Sequence, residues 1–158
     1  MILFIQGDNM VRYEGLFLDE ESVAKVKELE PFHLGFQNDE IHITFKYKPT
    51  AEETFDEIVG KVFELTVIGY GIDGNNSGFQ VELPEELLPY YINYDENGNL
   101  KTPHITVSLA PGAKAKDTAF LKFHPITPFT IKARFGYWTK KGQLSFEPDN
   151  INNQTKKQ

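Results

Sequence analysis

Two stretches of this chain are near copies of one another: Glu40-Ile-His-Ile-Thr-Phe-Lys-Tyr47 and Pro103-His-Ile-Thr-Val-Ser-Leu109, with His42 and His104 standing 62 positions apart. Each is a run of β-branched and aromatic residues broken at every second place by a polar one, the signature of a half-buried strand. One face of the first copy carries His42, Thr44 and Lys46, and one face of the second carries His104, Thr106 and Ser108. The opposite faces, Ile43, Phe45, Tyr47 and Ile105, Val107, Leu109, are apolar and suited to a core. Two strands that each set an imidazole beside a hydroxyl read as two half-sites of one centre.

The segments around these strands repeat as well. Arg12 to Leu18 reads as a strand, and Met1 to Ile5 as another before the turn at Gly7. Asp19 is placed to cap a helix that runs to about Glu30, with Glu20 and Glu21 favoured by the helix dipole in its first turn. Val23, Val26 and Leu29 share its apolar face, and Pro31 stops it. Phe32 to Asn38 reads as a connector. After the first His-Ile-Thr strand come a short helix over Ala51 to Val59 and a strand over Lys61 to Asp73. From Gly78 the order returns: a strand into an acidic helix start at Pro84-Glu-Glu86, a short helix over Leu87 to Tyr91, the second His-Ile-Thr strand, a short helix over Lys116 to Leu121, and a strand over Phe129 to Thr139. A last strand is expected over Gln143 to Phe146. The offset between matching positions is 63 to 67 residues, from Gly15 to Gly78 and from Gly69 to Gly136. The expected fold is α+β: one bilobal domain over residues 1–148, with duplicated strand-helix-strand units (11–73 and 78–139) about a pseudo-twofold, and two antiparallel sheets around a central cleft. Residues 149–158 are polar and expected to be a disordered tail.

Composition narrows the partners. A chain of 158 residues with 40% hydrophobic and 13% aromatic residues has enough apolar side chains for one core. Its net charge of −7 argues against a grip on long duplex nucleic acid, which needs a broad basic surface. A small anionic ligand in a focused cleft stays compatible. There is no cysteine, so disulfides, thiolate metal sites and a cysteine nucleophile are excluded together. No apolar run is long enough for a membrane span, and the five residues Met1 to Ile5 are too short for a secretory leader. A cytoplasmic, monomeric protein without a membrane partner is expected.

Paired histidines suit phosphoryl chemistry. Imidazole titrates near neutrality, so one ring can take a proton from water or a 2′-hydroxyl while the other gives one to the departing oxygen. Thr44 and Thr106, two strand positions from their histidines, are within reach of non-bridging phosphate oxygens. Lys46 could add charge at the rim, with Ser108 as its neutral counterpart. Tyr13 and Trp138 are the candidate platforms for a base. His33 and His124 lack a Thr two places on and read as structural. No ligand spacing such as His-x₃-His is present, so neither a metal nor another cofactor is expected.

On these motifs, over about residues 11–139, the chain resembles the two-histidine (2H) phosphoesterase superfamily, defined by two His-x-Thr/Ser motifs in a bilobal fold. The resemblance implies that His42 and His104 are the acid/base pair and that Thr44 and Thr106 clamp the phosphate. It further implies a metal-independent phosphodiesterase. The substrate is then a 2′,3′-cyclic phosphate on a nucleotide or RNA end, a 2′,5′-oligonucleotide or a cyclic dinucleotide. A non-catalytic nucleotide-sequestering module and an RNA 2′,5′-ligase are the alternatives. The basic residues that flank the second motif in some RNA-end enzymes of this kind are not evident in Lys101-Thr-Pro or Ala110-Pro-Gly.

Overall fold

The computed structural model describes residues 10–38 and 40–148; the expectations for Met1 to Ile5 and for the 149–158 tail lie outside them. Eight strands form: β1 (Val11–Leu18), β2 (Phe36–Gln37), β3 (His42–Tyr47), β4 (Val62–Ile72), β5 (Asn76–Glu82), β6 (His104–Leu109), β7 (His124–Thr139) and β8 (Leu144–Ser145). One α-helix, α1 (Glu20–Leu29), follows β1. The Asp19 carboxylate accepts a hydrogen bond from the Ser22 backbone N–H at 2.8 Å, the cap its position predicts. Val26 is fully buried, whereas Leu29 is 46% exposed and off the expected face. The Ser22 hydroxyl accepts from Lys132 N at 2.8 Å, which seats the helix against β7.

The three other expected helices are single 3₁₀ stretches, Ala51–Glu53, Glu85–Tyr90 and Ala115–Phe120. Each is too short to recover the cost of nucleating an α-helix. Phe36–Gln37, read as connector, adds a two-residue strand to β6.

All eight strands belong to one antiparallel sheet, in the order β2-β6-β5-β4-β7-β1-β3 with β8 beside β7. Two sheets were expected. The join is the long β4–β7 pairing, from Val62↔Arg134 to Tyr70↔His124, which runs the ladder through the middle of the molecule. Apart from β2 and β8, the path reads the same from either end once β1 is exchanged with β5, β3 with β6 and β7 with β4. The sheet curls far enough that β3 and β6, from opposite halves of the path, come within 8 Å of each other, Cα to Cα.

One face of the curl is the core. Leu16, Ile43, Phe45, Leu65, Val67, Phe79, Ile105, Val107 and Phe135 are each at most 1% exposed. Burying side chains of this size contributes about 1.5–3 kcal/mol apiece. Phe45 sets its ring edge-on to Tyr91 and to Phe135, at 5.3 and 5.4 Å between centroids, and so anchors β3 from beneath.

Candidate active site

His42 and His104 are the first residues of β3 and β6, and both line one cavity of about 540 Å³. The geometry of the two is alike. His42 Nδ1 lies 3.1 Å from the Glu40 carbonyl oxygen, and His104 Nδ1 lies 2.7 Å from that of Thr102. A carbonyl only accepts, so each Nδ1 carries the proton and each Nε2 keeps its lone pair. The Glu40 carbonyl is itself held, accepting from Asn38 Nδ2 at 3.0 Å. The Asn38 backbone N–H donates to Val107 O at 2.7 Å. The approach to His42 is thus tied to the strand of His104. In the other direction Asn93 Nδ2 donates to Thr44 O at 3.2 Å, and its own carbonyl accepts from Lys101 N at 2.8 Å.

Both histidines are half-buried and line the cleft. Burial pushes the His42 pKa down to about 4; the Glu40 carbonyl opposes this, and His104 adds to it. His104 is also lowered by burial, against the pull of the Thr102 carbonyl, and the Lys101 ammonium lowers it further. The empty cleft therefore favours two neutral imidazoles.

Tyr13 stacks on His42 at 4.8 Å between centroids and 27° between planes, and Trp138 stacks on Tyr13 at 6.2 Å and 21°. Tyr13 lines the cleft, where burial and the Glu40 charge raise its phenol pKa and keep it protonated. Trp138 is not on the lining; it backs Tyr13.

Lys46 and Ser108, expected beside the threonines, are turned away, and the same backbone feature moves both. β3 slips by one residue between Gly15↔Thr44 and Glu14↔Lys46, and β6 slips in the same place, between Gly78↔Thr106 and Ser77↔Ser108. Past such a bulge the alternation of side chains inverts. Lys46 leaves the cleft, its Nζ 4.0 Å from Glu53 Oε2. Ser108 is fully buried; its hydroxyl donates to the Glu30 carboxylate and accepts from Leu34 N at 3.0 Å. Tyr47, expected in the core, instead lines the cleft with 54% of its surface exposed. Glycine is required at both slips. A Cβ on Gly15 would overlap the Ile43 carbonyl, and one on Gly78 the Ile105 carbonyl, the carbonyls of the residues that follow the two histidines.

Thr44 and Thr106 both line the cleft and are not equivalent. Thr44 makes no side-chain hydrogen bond within the described residues. Thr106 is 7% exposed, its Oγ1 held 2.8 Å from Thr118 Oγ1 and 3.2 Å from the Ala115 carbonyl.

Three lysines that the motifs did not reveal, Lys101, Lys114 and Lys116, complete the lining. They come from the segments on either side of β6, Lys116 from the 3₁₀ stretch that follows it, so only the fold brings them together. Tyr47, Asn38 and Asn93 were missed likewise. His33 sits outside the cleft, its Nδ1 3.1 Å from Glu30 Oε1. Among the described residues no group of three or more His, Asp or Glu side chains is arranged to hold a metal ion, and no helix is long and apolar enough to cross a membrane.

Compared with protein-family models the chain matches none, and no curated protein matches it either.

Proposed function

We propose that this chain is a metal-independent phosphodiesterase of the two-histidine kind, acting on a small nucleotide phosphodiester. The observation that carries the reading is the shared cleft: two histidines from separate strands, each with Nδ1 committed to a carbonyl, leave two basic Nε2 atoms for one substrate. The self-matching strand path and the paired slips opposite Gly15 and Gly78 support the finer reading of a bilobal, duplicated scaffold.

His42, which burial and the neighbouring His104 hold neutral, is the general base. It takes the proton of water, or of a neighbouring 2′-hydroxyl, as that oxygen attacks phosphorus. His104 is the general acid and gives its Nε2 proton to the leaving oxygen as the P–O bond breaks. It acquires that proton on substrate binding: the phosphate offsets the Lys101 charge that disfavours the imidazolium in the empty cleft. Thr44 and Lys114, both on the cleft lining, stabilise the charge on the non-bridging oxygens of the scissile phosphate.

The test is turnover by the EDTA-treated protein on cyclic mononucleotides, cyclic dinucleotides, 2′,5′-oligonucleotides and short RNAs with cyclic ends. His42→Ala and His104→Ala should each lower kcat by about 10²–10⁴-fold with the fold intact by circular dichroism. Near-normal turnover by either variant on the best substrate would remove the acid/base assignment.

A further inference from the structure

The cleft does not end at His104. A second depression of about 360 Å³ adjoins it, formed by the Tyr94–Asn97 loop and the turn at Lys116–Phe120. Lys101 and Lys116 line both spaces, so two ammonium groups stand on the wall between them. The apolar surface here is two rings, Tyr94 at 53% and Phe120 at 63% exposed. Lys101 Nζ lies 5.8 Å from the Phe120 ring centroid. Large exposed rings beside cations, in a chain of net charge −7, are what a stacked base next to a phosphate requires.

The loop is preformed. Tyr94 and Leu100 make a β-bridge, and Asp95 Oδ1 accepts from the backbone N–H of Asn97 at 2.8 Å and of Asn99 at 2.9 Å. The Asp95 carboxylate is therefore committed to its own loop. Glu96 and Asp117 are the remaining acidic groups of the depression, and they disfavour a further phosphate beyond the two lysines.

We propose that this depression is a second nucleotide subsite, which takes the phosphate next to the scissile one between Lys101 and Lys116 and stacks the following base on Tyr94 or Phe120. The inference rests on the phosphodiesterase reading and sharpens it: the substrate is a short oligonucleotide with at least two phosphates, and a mononucleoside cyclic phosphate fills only half the site.

The test is binding of phosphorothioate oligonucleotides with one, two and three linkages, with turnover of the matching phosphodiesters followed in parallel. Affinity should rise about tenfold from one linkage to two and little from two to three. The salt dependence should steepen by about 0.7 in log–log slope for the added phosphate. Lys116→Glu, and separately the exposed-ring change Tyr94→Ala, should collapse the ratio between the two-linkage and one-linkage probes. Equal affinity for one and two linkages in the wild type, or variants that weaken both probes by the same factor, would overturn the subsite. An affinity step without turnover keeps the subsite and retires hydrolysis, while turnover without the step does the reverse.

Discussion

Glu14 ought to make this protein less stable as pH rises. It is fully buried, opposite Lys46 on β3 and Tyr137 on β7, and neither carboxyl oxygen has a hydrogen-bond partner among the described residues. Burial pushes its pKa up from 4.5 to about 9; the Phe55 backbone amide opposes this without meeting hydrogen-bond geometry, and the charges of Glu53 and Asp56 add to it. The folded chain thus holds a proton that the unfolded chain releases above pH 4.5. The stability that proton confers is complete below pH 4.5 and is lost as pH climbs to about 9, in all about 6 kcal/mol at ~1.36 kcal/mol per unit. Glu14→Gln keeps the shape and removes the ionisation. Urea unfolding of both proteins at pH 5 and pH 8.5 isolates the effect, because every other titrating group is common to the two. The stability of the wild type relative to the variant should fall by about 4 kcal/mol across that interval. Whatever constant cost a buried amide adds cancels in this difference. Parallel pH curves would refute the argument and mean that Glu14 is ionised or hydrated in the folded protein.

Two other consequences are open to measurement. On the proposed mechanism His42 must be neutral and His104 must gain a proton before it can act, and kcat/KM reports the ionisations of the free protein; the profile should be bell-shaped, with an acid limb near pH 4 and an alkaline limb below the ordinary imidazole value of 6.5. A pH optimum above 7 would contradict the assignment of base and acid. Gly15→Ala and Gly78→Ala should each destabilise the protein by about 1–3 kcal/mol or more in chemical denaturation, since the added methyl meets a backbone carbonyl that cannot give way. Gly74→Ala, with open space around its Cβ, is the control and should be near neutral.

Strand periodicity made the histidines legible. His42 and His104 open two strands whose alternating apolar residues, Ile43, Phe45, Ile105 and Val107, are all buried, so both rings could be assigned to one face before any fold was known. Periodicity also misled at Lys46, Tyr47 and Ser108. A bulge is a property of two strands and not of one, and the glycine that permits it lies on the neighbouring strand, about 30 residues earlier in each half. The lysines of the cleft escaped for a related reason. Lys101 precedes β6 while Lys114 and Lys116 follow it, and nothing in their spacing shows that the curl of the sheet will set them around His104. Asp19 was readable because a cap is a local matter of three residues.

Matching positions in the two halves of the sheet carry different chemistry on nearly the same backbone, and this gives the cleft a direction. Where the first half has Glu14 and Lys46 behind its bulge, the second has Ser77 and Ser108. Ser77 Oγ is satisfied by Tyr70 OH at 2.6 Å, whereas Glu14 has no such partner among the described residues. On the cleft side the first half offers rings, Tyr13 and Tyr47, and a threonine hydroxyl without a side-chain hydrogen bond among the described residues. The second offers ammonium groups and a threonine hydroxyl already held by Thr118. A symmetric pair of histidines cannot by itself decide which end of a phosphodiester leaves. Unequal surroundings can, because a nucleoside stacked at the ring-lined end and a phosphate drawn to the lysine-lined end place the scissile phosphorus between the imidazoles in one orientation. On the proposed reading the leaving oxygen would then face His104, the ring whose protonation the arriving phosphate promotes, and the attacking oxygen would face His42, the ring kept neutral by burial.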